Sequence, residues 1–415
     1  MRVNQQEIDI LRGLGEKYMR YATLSAQKEK MEMWKKLNSA KAERPMVIID
    51  QIPWWELEVV IPDVLKPQVA DPFWQGVERW LRHKIFAWEN FPVDMVLEPY
   101  ITIPAAIVNT GYGITPDAHL IHGMEGSHAP SQHYTCLLND MEDVAKIQDV
   151  RILKDDNQSA INIQEAEAIF GKEAVKLSHG VQFYLGLWDT LAMLMSVEQI
   201  YFDFADRPEF LHALMRRLTD ANLAGIKAVN ELSAYNEIQQ DCHCSYTYTD
   251  NLLPDFGAGK GRTTQNGWAC GLAQVFTSLS PDSFAEFEVP YIAELAQHFG
   301  HMYYGCCDRL DDRLDAVRKI PNVRKVSCSP WSDRDKFAEK LGSDLIMSNK
   351  PTPAFLAGDD FNEDIVRKDL EHTCRVAKEN GLSLELVLKD ISTVNSDINR
   401  VKRWNEIAME VAEGN

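Results

Sequence analysis

Apolar residues recur at helical spacing from the start of the chain. Ile8, Leu11, Leu14, Tyr18 and Tyr21-Ala22 mark one face and the run continues to Leu37, which predicts a helical segment before any strand. Arg44-Pro45 then opens Met46-Val47-Ile48-Ile49-Asp50, a short apolar run that reads as a strand, followed by Ile52-Pro53-Trp54-Trp55-Glu56. A helix is expected from Phe73 to Trp88 and a second strand over Met95-Val96-Leu97-Glu98-Pro99. The stretch from Pro104 to Ser131 is irregular, with Gly, Pro and His, and reads as an insertion or active-site loop. Helices are expected over Glu165 to Phe170 and Trp188 to Met195. Asp206-Arg207-Pro208-Glu209, with Pro and acids in the first turn, starts a longer helix reaching about Leu232.

The second half alternates more regularly. Strands are expected at Gln239 to Cys244, Trp268 to Phe276, His301 to Cys306, Lys325 to Ser329, Asp344 to Met347 and Leu384 to Leu388. Helix-like runs separate most of them: Asp282 to Phe299, Asp311 to Lys319, Asp333 to Leu341 and Asn362 to Asn380. Ser280-Pro281-Asp282 has the form of a helix start, with a capping hydroxyl, Pro in the first turn and then an acid. Strands alternating with helices imply a parallel sheet, and with the two early strands the count comes to about eight. The predicted fold is therefore α/β, a (β/α)8 TIM barrel over residues 44–415 preceded by a helical extension over residues 1–43. A doubly wound open sheet is the alternative. It normally carries a Gly-rich phosphate loop between strand and helix, and Phe256-Gly257-Ala258-Gly259-Lys260-Gly261 lacks that context.

Composition narrows the function classes. The chain has 415 residues, 45% hydrophobic and 25% charged, and 62 acidic residues against 43 Lys plus Arg give a net charge of -19. Such a surface repels nucleic-acid phosphates and anionic lipid. No run approaches the roughly 18 apolar residues that span a bilayer. The N-terminal stretch is polar and helix-like, without the apolar core of an export signal, so a cytoplasmic protein with its eight Cys reduced is expected.

Chemistry concentrates at strand exits, where barrel enzymes keep their active sites. Tyr303-Tyr304-Gly305-Cys306-Cys307-Asp308 places two thiols there, and thiolates are soft metal ligands and nucleophiles. Buried Cys packing as a small hydrophobe is the plainer reading. The last strand exits into Lys389-Asp390, either an ion pair closing the barrel or a carboxylate that orients or protonates a substrate beside a lysine. In an extended strand only one of those two points inward. Glu98 is a second carboxylate at a strand exit, and Lys350 a further cation.

Ile200-Tyr201-Phe202-Asp203, Asp206-Arg207-Pro208-Glu209-Phe210-Leu211 and Leu218-Thr219-Asp220 resemble the uroporphyrinogen decarboxylase superfamily. So do Leu279-Ser280-Pro281-Asp282-Ser283-Phe284, Phe287 and Val289-Pro290-Tyr291, in the same order, over residues 195–410. The resemblance implies a single TIM-type barrel and one of two activities, porphyrinogen decarboxylation or zinc-dependent, corrinoid-linked methyl transfer. The decarboxylases carry an Arg-rich N-terminal motif for the substrate's propionates. Here the corresponding exit, Asp50-Gln51-Ile52-Pro53-Trp54-Trp55-Glu56-Leu57-Glu58, has no Arg.

The methyltransferase branch carries His-x-Cys and a later Cys. Here Tyr304-Gly305-Cys306 keeps the Cys and replaces the His by Tyr, and the later position falls near Met347-Ser348-Asn349, without a thiol. A zinc site would then be rebuilt from Cys306 and Cys307 with His243 and Cys244 of Cys242-His243-Cys244, although His243 points away from its two neighbours in an extended strand. Cys270 and Cys328 compete for the role, and His119, His122, His128 and His133 could close over it.

The resulting expectation is a methyltransferase that takes a methyl group from a small methoxylated aromatic or methylamine donor. Zinc would be its cofactor, and a corrinoid carried by a partner protein would accept the methyl group. Asp390, Glu98 and Lys389 are the candidate catalytic residues. Trp54, Trp55, Trp268 and Tyr304 are the candidate substrate-binding residues. Decarboxylation of a small non-porphyrin acid and a non-catalytic binding role are the alternatives.

Overall fold

A computed structural model describes residues 1–121, 131–178, 180–235, 241–252 and 262–414. Two helices open the chain, α1 (Gln5–Ala22) and α2 (Ser25–Asn38). Asn4 caps α1 through a reciprocal bond with Glu7, which satisfies backbone donors that a helix start leaves open. After the first strand come α3 (Trp54–Val60) and α4 (Pro72–Asn90). Asp71 caps α4 by accepting from the backbone of Phe73 and Trp74, and Pro72 needs no partner at that position.

Seven parallel strands form the central sheet. They are β1 (Met46–Ile49), β2 (Tyr184–Leu185), β3 (Trp268–Gly271), β4 (His301–Tyr304), β5 (Val323–Cys328), β6 (Ile346–Asn349) and β7 (Ser383–Leu388). Their order is β1-β7-β6-β5-β4-β3-β2. From β2 to β7 each new strand is laid beside its predecessor, and β1 pairs with the last strand, Met46 opposite Glu385. A doubly wound sheet reverses its order at a switch point, and none occurs here. The winding is that of a TIM-type barrel, but among the described residues β1 and β2 do not pair and the sheet does not close into a ring.

Several elements depart from expectation. Met95 to Pro99 forms no ladder, because side chains satisfy its backbone: Val96 N donates to the Tyr246 hydroxyl at 3.1 Å and Leu97 N to Gln27 Oε1 at 2.8 Å. A strand follows instead at Ile101–Pro104. The irregular region contains strands Ala106–Asn109 and Ala118–Ile121, paired with Ile152–Asp155 and Ser131–Tyr134. The strand expected up to Cys244 is a hairpin outside the sheet, Asp241–Cys242 against Ser245–Tyr246, and residues 239 and 240 of that expectation lie outside the described residues. The helix expected from Asp282 to Phe299 is broken into Pro281–Phe287 and Val289–Ala296, since Pro290 can neither donate a helical bond nor pack under the preceding turn. No helix of the described residues is long and apolar enough to cross a membrane.

Side-chain alternation sorts the sheet into two faces. Met46, Ile48, Trp268, Cys270, Tyr303, Ile346 and Val387 pack on the inner face, together with Trp34 and Leu37 of α2. Val47, Ala269, Met302, Tyr304, Val326, Met347, Leu384 and Leu386 pack outward in the larger core beneath the helices.

Candidate active site

Strand exits carry the reactive groups and backbone conformation aims them. After β4 the chain turns at Gly305, whose φ of +93° suits glycine. A Cβ there would meet Leu310 at 2.6 Å and Ser327 at 3.0 Å. The turn is fixed by Asp308, whose carboxylate accepts from Cys306 N at 2.6 Å. Cys306 is thereby turned to the inner face and is 5% exposed, while Cys307 is half-buried beside it, their sulfurs 3.6 Å apart.

The β7 exit brings its charges to the same place. Lys389 continues the inward face of Glu385 and Val387 and is 3% exposed. Its Nζ lies 3.2 Å from Cys306 Sγ, 3.9 Å from Cys307 Sγ and 2.6 Å from Asp390 Oδ2. The expectation that only one of Lys389 and Asp390 reaches inward assumed an extended backbone. Asp390 has φ +56°, so its carboxylate swings back to Lys389 and accepts from Cys307 at 3.2 Å while the residue stays 46% exposed. Gln51, also at positive φ, holds that turn by accepting from Asp390 N at 3.2 Å.

The hairpin adds the third contribution. Its two-residue turn is His243-Cys244, with His243 at φ +57°, where Asn or Gly is usual. The left-handed turn removes the opposition expected of adjacent extended residues, and the imidazole faces the sulfurs of both Cys244 and Cys306. Among the described residues no hydrogen-bond partner lies within bonding distance of its buried Nε2. Tyr303, inward on β4, reaches Cys244 at 3.9 Å and shares its hydroxyl with Ser348 at 2.7 Å and with Lys350.

These contacts divide the thiols into two classes. Cys306 is held far below the ordinary thiol value, first by the hydrogen bond from Cys307 and then, against its burial, by His243 and Lys389. Cys307 is pushed up, first by that same bond and then by burial and the Cys306 charge, so it is the protonated member. Burial raises Cys244, but Lys350 and His243 outweigh it and lower the thiol. Burial pulls His243 down, yet the charges of Cys244 and Cys306 lift it to about 9. Cys242 and Cys270 are driven up by burial and Cys328 to about 12, which makes them packing residues. Lys389 is held charged: burial opposes this, and Cys306 and Asp390 prevail.

A cavity of about 220 Å³ opens beside the cluster, between the β1 exit, α4 and the hairpin. Asp50, Trp54, Trp80, His83, Lys84, His243 and Cys244 are among its walls. Trp54 is stacked on His83 at 3.9 Å and 8°, and His83 is held by Glu58 at 3.2 Å. His243 and Cys244 therefore join the cavity to the buried Cys306.

Cys306, Cys307, His243, Cys244, Lys389 and Asp390 are thus brought together, and Trp54 lines the cavity. Other candidates lie elsewhere. Trp55 is exposed and not part of the cavity wall. Trp268 is buried at the amino end of β3 near Lys325, 5.7 Å from its ring. Tyr304 points outward and donates to Glu288 at 3.0 Å. Glu98 is raised by burial, while Tyr248 and Lys176 oppose the shift. His119 and His133 face each other on an exposed strand pair, and His122 and His128 lie outside the described residues.

Sequence reasoning missed His83 and Lys84, which look like ordinary helix-surface residues, and Asp189. Burial, reinforced by Asp308 and Cys306 and opposed by bonds from Gln274, raises Asp189 to about 7. It follows a two-residue strand too short to leave a pattern.

No family model and no curated protein matches this chain. Among solved structures it is similar to a methyltransferase from Methanosarcina mazei, with a TM-score of 0.51 over 92% of this chain and 98% of that one. The chain shares the fold of that neighbour. Identity to that neighbour is 13%, so the likeness is one of architecture and does not single out the uroporphyrinogen decarboxylase superfamily.

Proposed function

We propose that the protein is a methyltransferase that takes a methyl group from a small methoxylated aromatic or methylamine donor in the cavity and passes it to a corrinoid-carrying partner protein. The observation that carries this reading is the strand-exit cluster. A thiolate at Cys306, an ammonium at Lys389, a protonated thiol at Cys307 and a carboxylate at Asp390 lie within hydrogen-bond reach of one another, beside a cavity walled by Trp54 and Trp80. The methyltransferase-like fold agrees with it. No Arg stands among the cavity's described walls, which disfavours a polycarboxylate substrate.

A methyl ether reacts slowly because an alkoxide or phenoxide must leave, and a proton at the leaving oxygen lowers that barrier. His243 lines the cavity and is the group placed to give that proton. The sulfurs of Cys244 and Cys306 stabilise its charged form. Lys389 balances Cys306 so that the thiolate does not take the proton itself, and Asp390 with Cys307 connects the cluster to solvent. A methylamine donor that enters already protonated releases a neutral amine and needs His243 less.

Zinc is part of the proposal on the kind of donor alone. Cys306, Cys307, Cys244 and His243 suit a thiophilic ion, and the His243 Nε2 lacks a partner. As arranged, no three His, Cys, Asp or Glu side chains among the described residues stand close enough to hold one. A bound ion would take His243 as a neutral ligand and supply Lewis acidity at the leaving atom in place of its proton. Metal analysis of the purified protein, run with methyl transfer to reduced cobalamin from methoxyaromatics and methylamines, tests the reading. Transfer lost in Cys306→Ser supports it. Absence of transfer from every donor by protein with full metal content would remove it.

A further inference from the structure

Asp50 and Lys84 stand in the cavity wall with Asp241 and His243, and the opposite charges of Asp50 and Lys84 do not pair with each other. Asp50 follows β1 in the inward register of Met46 and Ile48, and among the described residues its carboxylate is bonded by the Gln51 backbone. Lys84 comes from α4, lines the same cavity and makes no hydrogen bond or ion pair within bonding distance among the described residues. The two feel each other's charge without meeting. The other charged groups nearby have contacts of their own: Glu58 takes His83 and Arg79, Gln182 reaches the Asp241 carboxylate at 3.4 Å, and His243 faces the sulfurs of Cys244 and Cys306. Two aromatic rings, Trp54 and Trp80, line the same cavity. Trp54 is fixed by its stack on His83, and Trp80 by Tyr18 at 5.2 Å.

Opposite charges in one small cavity that do not close on each other fit a ligand bearing both charges. Aromatic faces beside a carboxylate recognise a quaternary ammonium, which has no N–H to donate and binds through diffuse positive charge. A lysine without an ion-pair partner recognises a carboxylate. The space, about 220 Å³ against roughly 30 Å³ for one water in the liquid, admits only a small molecule.

We infer that the ligand of this cavity is a small zwitterion, a methylated ammonium joined to a carboxylate, with its ammonium at Asp50 and the tryptophans and its carboxylate at Lys84. The inference rests on the methyl-transfer reading and narrows its donor class. The chemistry balances without an added acid. The C–N bond breaks with its electron pair left on nitrogen, a neutral tertiary amine departs, and the methyl group forms its new bond with an electron pair from the reduced corrinoid of the partner.

Binding to the full-length protein, read by tryptophan fluorescence and calorimetry, tests it with three probes. Glycine betaine carries both charges, choline only the ammonium, and methoxybenzene neither. Betaine should bind at least about tenfold more tightly than the other two. Lys84→Gln should weaken betaine about tenfold and leave choline unchanged, which also shows that the variant is folded. Asp50→Asn should weaken both cations. Tighter binding of methoxybenzene than betaine, or betaine binding indifferent to Lys84→Gln, overturns the inference. Betaine binding of the expected pattern without methyl transfer would sustain the inferred ligand and remove the proposed reaction. Transfer from methoxyaromatics alone would do the reverse.

Discussion

Two adjacent cysteines hold opposite protonation states because their neighbours differ. Cys306 faces an ammonium and an imidazole, whereas Cys307 faces a thiolate and the Asp390 carboxylate. Replacing the ionised sulfur removes the centre on which Lys389, His243 and Cys307 converge. Cys306→Ser should therefore lower methyl transfer by about 100-fold or more, on the scale of losing a preorganised electrostatic partner, while Cys307→Ser should cost less than about tenfold. Full activity in Cys306→Ser, measured beside circular dichroism of the same protein, would show the cluster to be packing. Cys306, Cys307, Lys389 and Asp390 were legible as candidates because strand exits concentrate chemistry. Their mutual contact was not, because it depends on the positive φ of Asp390 and the turn at Gly305, which alternation along a strand does not describe. Lys84 and His83 could not be found at this scale at all, since a cavity wall is made by helix packing and leaves no motif.

Elements built from strong local signals matched expectation. α4 begins within a residue of expectation and the long helix Pro208–Glu231 begins at the Pro of its predicted first turn; four of the later strands stand within a few residues of their apolar runs, while the one expected over Trp268 to Phe276 ends at Gly271. Elements that rely on side chains for their backbone bonds were misread, as Met95 to Pro99 shows. The amino ends of the strands serve stability rather than chemistry, and His301 at the start of β4 gives a measurable sign of it. Burial, then Arg324, lowers its pKa from 6.5 to about 4, so the native state resists a proton that the unfolded chain accepts. The contribution is fully present above pH 6.5 and is lost as pH falls from there through 4, by on the order of 3 kcal/mol in all. Denaturant unfolding of wild type and His301→Gln over that range should show a smaller acid-side loss in the variant. Equal slopes would mean that His301 is solvated in the native state.

Beneath the thiols, Lys325 of β5 and Glu385 of β7 form a fully buried pair, 2.7 Å apart, and Lys325 also donates to Ser245 of the hairpin at 2.6 Å. The pair ties two strands and the hairpin together at the floor of the site. Breaking it leaves one buried charge uncompensated, so Glu385→Gln should cost about 3–5 kcal/mol, whereas Lys325→Met with Glu385→Leu should recover much of that. A single replacement with no loss in a denaturant titration would show that water reaches the pair.

At the scale of the whole molecule the winding order was legible and the closure was not. Successive βα units predicted the neighbours from β3 to β7, β2 was not among the expected strands, and the pairing of β1 with β7 is the step that curls a sheet toward a barrel. The expected eighth strand rested on segments whose backbone is satisfied by other means or that form a separate hairpin, and no hydrophobic pattern distinguishes those outcomes. The helical extension bears on the same point. Trp34 of α2 is fully buried on the inner face of the sheet, its ring 5.5 Å from Lys325 and its indole donating to Asp94 O at 2.8 Å, and Asn38 donates to Tyr246 O and Tyr248 O. α2 therefore covers the amino end of the inner core and holds the hairpin that carries His243 and Cys244. Trp34→Ala should destabilise the protein by about 3–5 kcal/mol, the usual cost of truncating a buried aromatic. It should also lower ligand binding in the cavity, because Tyr246 packs against the same ring at 5.1 Å and lines the cavity. A chain beginning at residue 44 should lose the cooperative thermal transition of the full protein. If that shorter chain melts cooperatively at an unchanged temperature and still binds ligand, the extension is an independent appendage and the site is built by the sheet alone.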